Sequence, residues 1–177
     1  MASRMSKKTR LVLVIVIVAI VAIVGIVLSR GSSSPSDLTL PIITWDETTL
    51  STLEGTPVVL NFWSISCYWC RQQLPFLEAV AQQSEGEIKV IAINMVDNAA
   101  NIQKFFRDYE PTMIIALDEN REAFVDYCLA YNNPRGSIPF TLFVDSEGIV
   151  QYVRIGAFTS EAQLWDTLNS VFETTVP

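Results

Sequence analysis

The sequence predicts an α/β fold with a mixed central sheet and helices on both faces, plus an N-terminal transmembrane helix. Short β-prone apolar runs alternate with segments of helical periodicity, which indicates parallel strands joined by helical crossovers. The last two β-prone runs are separated by the turn Asp145-Ser146-Glu147-Gly148, which indicates an antiparallel hairpin. A separate stretch of eighteen apolar residues, 11–28, lies near the N-terminus. The pattern of strands and helices alone also allows other three-layer α/β folds.

The individual elements follow from residue type and spacing. Strands or extended segments are predicted at 38–45, 50–53, 58–63, 88–94, 113–117, 140–144 and 149–155. Helices are predicted from Cys67 to about Ser84 and where apolar residues recur three and four positions apart: Ile102, Phe105, Phe106 and Tyr109; Phe124, Tyr127, Cys128 and Tyr131; Leu164, Leu168 and Val171. Asp118 predicts a helix N-cap, and Ser160-x-x-Gln163 predicts a capping box.

The apolar stretch near the N-terminus predicts a membrane anchor. As a helix, eighteen residues would extend about 27 Å, close to the thickness of the bilayer core of about 30 Å. Four basic residues precede the stretch and only Arg30 follows closely, which predicts a cytoplasmic N-terminus. We therefore expect a cytoplasmic basic segment at 1–10, a signal-anchor helix at 11–29, a flexible linker at 30–37 and an extracytoplasmic domain at 38–177. A cleaved signal peptide is the competing interpretation.

The composition limits the classes of partner. The chain has 12 Lys and Arg against 19 Asp and Glu, a formal net charge of −7. Nucleic-acid binding requires a basic surface, so no nucleic-acid partner is expected.

The candidate chemistry lies in Cys67 and Cys70, directly after an apolar β-prone run. Cysteines at i and i+3 in the first turn of a helix lie on one face and can form a small disulfide ring. The helix N-terminus favours a thiolate at Cys67, and a thiolate is the nucleophile of disulfide exchange. In this interpretation Cys67 is the nucleophile and Cys70 the resolving cysteine.

Other uses of a Cys-x-x-Cys pair fit less well. The chain contains three cysteines and no histidine, so it cannot supply a four-ligand Cys/His zinc site. Attachment of a c-type haem needs histidine after the second cysteine, where Arg71 stands. A purely structural disulfide would close only a very small loop. No metal and no cofactor are expected.

Several short features together resemble the thioredoxin superfamily: Phe62-Trp63, Cys67-x-x-Cys70, Pro75 and Ser137-Ile138-Pro139. With the predicted anchor, the chain is similar to the TlpA/ResA family of membrane-anchored thiol–disulfide oxidoreductases. The resemblance implies a thioredoxin-like three-layer fold and a cis Pro139 that faces the dithiol. It also implies that Ile138 offers backbone groups to an extended substrate segment. An ordinary turn proline is the alternative for Pro139.

The chain departs from this family at several positions. Tyr68 and Trp69 stand between the cysteines, where small residues or proline are usual, and we expect them to contact substrate unless one folds back onto the domain. Asn61 and Gln73 are amides where relatives carry buried acids. Cys128 lies on an apolar helical stripe, which predicts a buried, inert thiol rather than an extra resolving cysteine.

We therefore expect an extracytoplasmic enzyme that reduces protein disulfides, for example in cytochrome c maturation. Its partners would be protein disulfide or dithiol clients and a membrane thiol electron carrier. The alternatives are a disulfide-donating oxidase and a non-catalytic thioredoxin-fold binding module. A peroxidase is less favoured, because no Thr-x-x-Cys motif is evident.

Overall fold

The computed structural model describes Leu53, residues 55–107 and residues 109–172, and this part of the chain forms five strands and four helices. The strands are β1 (Val58–Trp63), β2 (Lys89–Asn94), β3 (Ile114–Leu117), β4 (Phe140–Val144) and β5 (Val150–Ile155). The helices are α1 (Tyr68–Gln83), α2 (Ala99–Phe106), α3 (Glu122–Ala130) and α4 (Glu161–Phe172).

The sheet is mixed, with the strand order β3-β2-β1-β4-β5. β1 pairs in parallel with β2, and β2 in parallel with β3. β4 is antiparallel both to β1 and to β5, which forms the edge next to it. All six residues of β1 are buried, which explains why this strand is apolar on both faces, apart from Asn61, rather than alternating apolar and polar residues.

Helices cover both faces of the sheet. Val59 and Trp63 belong to a core cluster with buried side chains of α1, α2 and α4. Leu60 and Phe62 point to the opposite face and share a second cluster with α3. The predicted α/β architecture with helices on both faces is therefore confirmed.

The β4–β5 hairpin forms where it was predicted. Asp145 accepts the backbone N–H groups of Glu147 and Ile149 at 2.9 Å each. Gly148 closes the turn with φ of +79°, a conformation that glycine adopts without steric cost.

Predictions at the ends of three helices were wrong in detail, and Tyr131 lies just after α3 as its C-cap residue. Tyr109 lies outside α2, which ends at Phe106 because Arg107 takes a left-handed φ of 51°. Asp118 is not the N-cap residue of α3, although its carboxylate does accept the N–H groups of Ala123 and Phe124 in the first turn of that helix.

Only half of the predicted capping box forms at α4. Ser160 Oγ accepts the N–H of Gln163 at 3.1 Å. The side chain of Gln163 accepts the N–H of Thr159 at 2.9 Å rather than that of Ser160.

The predicted N-terminal segments fall outside the described residues. These are the basic segment 1–10, the anchor 11–29, the linker 30–37 and the strands 38–45 and 50–53, apart from Leu53, which packs against the α3 side of the core. No helix in the described ranges is long and apolar enough to cross a bilayer. The anchor and the domain boundaries stay predictions.

A buried carboxylate joins α1 to the segment that leads into β3. Glu78 accepts the N–H groups of Thr112 at 2.8 Å and Met113 at 3.1 Å, and the side-chain amide of Gln82 at 2.8 Å. Burial by itself raises the pKa of Glu78, but these hydrogen bonds and one with Tyr109 hold that pKa below its ordinary value.

Glu78→Gln is expected to lower the free energy of unfolding by about 1–3 kcal/mol at neutral pH, because the new amide turns an N–H group toward a backbone N–H. The pKa of Glu78 is lower in the folded chain than in the unfolded one. Its stabilisation is therefore complete above the unfolded-state pKa and is lost as the pH falls through the folded-state pKa.

Urea unfolding at neutral and acidic pH tests this expectation. The difference between wild type and Glu78→Gln should shrink on acidification, while substitution of the exposed Glu87 by Gln should have little effect at either pH. A difference that grows on acidification would contradict the assignment.

Candidate active site

Cys67 and Cys70 lie at the start of α1, where they form a disulfide with 5.3 Å between their Cα atoms. Cys67 is the N-cap residue, with an extended backbone, and Cys70 lies in the first helical turn. Cys67 is half-buried, whereas Cys70 is fully buried. Of the two cysteines, Cys67 is therefore the one that is open to a partner molecule.

The helix N-terminus provides the electrostatic environment of Cys67. The backbone N–H of Cys70 donates to Cys67 Sγ at 3.1 Å. The first turn of α1 contains no acidic side chain. An amide hydrogen bond and the positive end of the helix dipole both favour a thiolate at Cys67 after reduction.

The loop before β4 lies against the same sulfur. The Ile138–Pro139 peptide bond is cis, and the carbonyl oxygen of Ile138 is 3.9 Å from Cys67 Sγ. Asn133 fixes this loop, since its side chain donates to the carbonyl of Ser137 at 2.9 Å and accepts the N–H of Ser137 at 3.0 Å. The backbone of Ile138 is thus held beside the dithiol.

Tyr68 and Trp69 are both exposed, with 56% and 61% of their surfaces open. Their rings contact each other edge to face, with centroids 5.1 Å apart. Neither ring folds back into the core. A groove between α1 and α2 is lined mainly by apolar side chains, among them Leu74, Pro75, Phe105 and Phe106, and also by Arg71.

A buried network of neutral polar side chains lies in the layer between α1 and the sheet. Asn61 of β1 and Gln73 of α1 both donate to Thr141 Oγ1 of β4, at 2.8 and 3.2 Å. Gln73 also accepts the N–H of Phe158 at 2.8 Å. The network joins α1 to β4 two residues after Pro139, and none of its side chains titrates in the physiological range.

Two polar residues of this region were not identified by the reasoning from sequence. Thr141 is a single polar residue inside an apolar strand, which is the signal that could have identified it. Asp97 follows β2 at the carboxyl edge of the sheet, and its carboxylate accepts the N–H of Ile65 at 2.8 Å, two residues before Cys67. The signal that could have identified Asp97 is its position directly after a strand predicted to lie parallel to β1.

Cys128 is free and buried on α3, on the other face of the sheet. Burial raises the pKa of its thiol above the ordinary value, although Arg121 and Asn133 partly oppose this effect. A protonated, buried thiol is a poor nucleophile. The predicted buried environment of Cys128 is confirmed.

Comparisons with known proteins agree with this geometry. A family model described as the AhpC/TSA family matches residues 33–153. The thioredoxin-like protein YneN of Bacillus subtilis is 26% identical over 137 residues, which cover 76% of each chain. The thiol–disulfide oxidoreductase ResA of Bacillus subtilis is 25% identical over 145 residues, which cover 81% of this chain and 76% of ResA.

A solved structure shows that the fold is shared. A secreted Mycobacterium tuberculosis disulfide oxidoreductase, described as homologous to Escherichia coli DsbE, superposes with a TM-score of 0.65 at 18% identity. The match covers 78% of this chain and 98% of that chain. The predicted relationship to thioredoxin-like proteins of the ResA kind is confirmed. The chain belongs to the AhpC/TSA family, and with its thioredoxin-like fold and Cys67–Cys70 pair it is a thiol–disulfide oxidoreductase.

Proposed function

We propose that this chain is a membrane-anchored reductase of protein disulfides that acts outside the cytoplasm. The main support for this proposal is the difference in burial between the two cysteines. Cys67 is partly open and accepts a helix N–H, whereas Cys70 is buried behind it. This arrangement suits one cysteine that attacks a client and one that resolves the intermediate.

The reaction begins with the reduced dithiol. The Cys67 thiolate attacks a client disulfide, so that the client S–S bond breaks, a bond between Cys67 and one client sulfur forms, and the other client sulfur leaves as a thiolate. The Cys70 thiolate then attacks Cys67 Sγ, which forms the Cys67–Cys70 disulfide and releases the second client thiolate. Two electrons pass to the client, and its two thiolates take up protons from solvent.

Client binding in this proposal uses backbone and aromatic contacts. The carbonyl of Ile138, 3.9 Å from Cys67 Sγ, is available to pair with an extended client segment. Pro139 holds that carbonyl in place, while Tyr68 and Trp69, the two residues after Cys67, present exposed apolar surface. Backbone pairing tolerates varied client sequences, so the aromatic residues would supply much of the affinity for proteins.

The location rests on the sequence of the N-terminal region. Residues 11–29, with a basic segment before them, would hold the domain outside the membrane, and the linker 30–37 would let it reach nearby partners. A membrane thiol carrier would then meet the oxidised dithiol at high effective concentration and reduce it again.

Apocytochrome c is the client class that we propose. Haem attachment at a Cys-x-x-Cys-His site requires both cysteines as free thiols, so an oxidised site must first be reduced. The resemblance to the TlpA/ResA family supports this choice.

A disulfide-donating oxidase is the second candidate, and one observation favours it. The helix N-terminus stabilises the Cys67 thiolate, and stabilisation of the reduced form makes a dithiol more oxidising. Against it, no histidine stands between the cysteines, and Arg71 follows the second cysteine rather than preceding it. We therefore favour the reductase.

In membranes, Cys70→Ser is expected to accumulate mixed disulfides between Cys67 and client proteins, because the resolving sulfur is absent. Non-reducing gels of the membrane fraction measure this accumulation, with Cys67→Ser as the matched control. Both variants are best made with Cys128→Ala, so that a single cysteine remains in each chain, Cys67 in one and Cys70 in the other.

Equal trapping by Cys67→Ser would show that the nucleophile is misassigned. If neither variant traps a protein and the wild type reduces no protein disulfide, the enzyme assignment fails in favour of a binding module.

Replacement of both Tyr68 and Trp69 by Ala is expected to lower kcat/KM for a protein disulfide by about fivefold or more through KM, because a loss of about 1 kcal/mol or more of binding energy from the aromatic pair corresponds to that factor. The rate with a small disulfide should change little. Leu129→Ala is the control, since Leu129 is an apolar side chain 78% exposed on α3. A similar loss with both substrates would argue against a role in client binding.

A further inference from the structure

The segment between β1 and α1 is short and has a defined turn. Three residues, Ser64 to Ser66, separate the end of β1 from Cys67. The backbone N–H of Cys67 donates to the carbonyl of Ser64 at 3.2 Å, and the hydroxyls of Ser64 and Ser66 lie 3.2 Å apart. The position of Cys67 Sγ therefore depends on how this turn is held.

A carboxylate from another loop holds the turn. Asp97 Oδ2 accepts the backbone N–H of Ile65 at 2.8 Å, across 32 positions in sequence. A hydrogen bond to an ionised carboxylate is stronger than one between neutral groups. Asp97 thus fixes the residue two positions before the nucleophilic cysteine.

Asp97 is itself oriented from the buried end of β2. Asn94, which is fully buried, donates its side-chain N–H to the same Oδ2 at 3.0 Å. The side-chain oxygen of Asn94 accepts the N–H groups of Val96 at 3.1 Å and Asp97 at 2.8 Å. Both the backbone and the carboxylate of Asp97 are therefore held by one rigid side chain.

The pairing of β1 with β2 brings Asp97 close to the turn before Cys67. Asn94 is paired in register with Trp63, the last residue of β1, and the N–H of Met95 donates to the carbonyl of Trp63 at 3.3 Å. β1 and β2 end together, so the loop after β2 lies beside the turn that leads to Cys67.

We propose that Asp97 is a positioning residue for Cys67. It acts through Ile65 and keeps Sγ at the point where it meets the N–H of Cys70 at 3.1 Å and the carbonyl of Ile138 at 3.9 Å. Disulfide exchange requires the attacking sulfur to approach in line with the S–S bond, so a small displacement of Cys67 slows both client attack and resolution by Cys70. The effect on clients rests on the function proposed above.

Two substitutions separate the hydrogen bond from the charge. In Asp97→Asn, an amide oxygen at the position of Oδ2 can still accept from Ile65 and Asn94, although the charge is gone. Asp97→Ala removes the acceptor as well, and Asp97→Leu does so while keeping the bulk of the side chain. Asp118→Ala is the matched control, because Asp118 also accepts two backbone N–H groups, but in α3 on the opposite face.

The experiment uses the full chain in detergent, with two readouts: the rate of reduction of a protein disulfide and the equilibrium constant of the Cys67–Cys70 pair with glutathione. Asp97→Ala and Asp97→Leu are expected to lower the rate about tenfold and to weaken the disulfide against glutathione by a similar factor, consistent with loss of one charge-assisted hydrogen bond. Asp97→Asn should keep most of the wild-type reduction rate and most of the wild-type equilibrium constant with glutathione. Asp118→Ala should lower thermal stability without changing either readout.

Three results would overturn the proposal. Wild-type values in both removal variants would show that the hydrogen bond does not position Cys67. Equal damage in Asp97→Asn would assign the effect to charge, and equal damage in Asp118→Ala would assign it to general stability. If the wild type reduces no protein disulfide, the proposed function fails, but the glutathione equilibrium still decides the role of Asp97.

Discussion

The arrangement of the site depends on the burial and pairing of β1. This strand is buried along its whole length and has a partner on each side, parallel β2 and antiparallel β4. Parallel pairing places the end of β2 beside the end of β1, while antiparallel pairing places the start of β4 there. The register pairs Trp63 with Asn94 and Phe62 with Phe140. Cys67, Asp97 and Pro139 therefore meet at one edge of the sheet, although they are far apart in sequence.

The groups that lie beside the two sulfurs at that edge include backbone amides and several neutral side chains. Cys67 Sγ accepts one backbone N–H, and the buried network beside α1 consists of Asn61, Thr141 and Gln73. Because these side chains do not ionise near neutral pH, they can fix geometry but cannot exchange a proton as a carboxylate would. The network of Asn61, Thr141 and Gln73 therefore supplies no base that could take the proton from Cys70 during resolution.

Much of the fold and the centre of the site could be predicted from the sequence, because they rest on local patterns. Strand runs, helical spacing and the Cys67-x-x-Cys70 pair at a helix start all follow from residues close together in the chain. Contacts made by tertiary pairing could not be predicted in the same way. Thr141 joins Asn61 and Gln73 only because of the β1–β4 register. Asp97 reaches Ile65 only because β1 and β2 end together, and the early end of α2 depends on the backbone of Arg107.

The reduction potential of the Cys67–Cys70 pair tests the central claim most directly, because the same residues can run the exchange in either direction. The helix N-terminus raises the potential by stabilising the thiolate, and the absence of histidine or a preceding cation limits this effect. Equilibration of the full chain with glutathione buffers measures the reduction potential that results from these two effects. A reductase should give a value nearer the thioredoxin end of the range, about −270 mV, and a value near the strong-oxidant end, about −120 mV, would contradict the account.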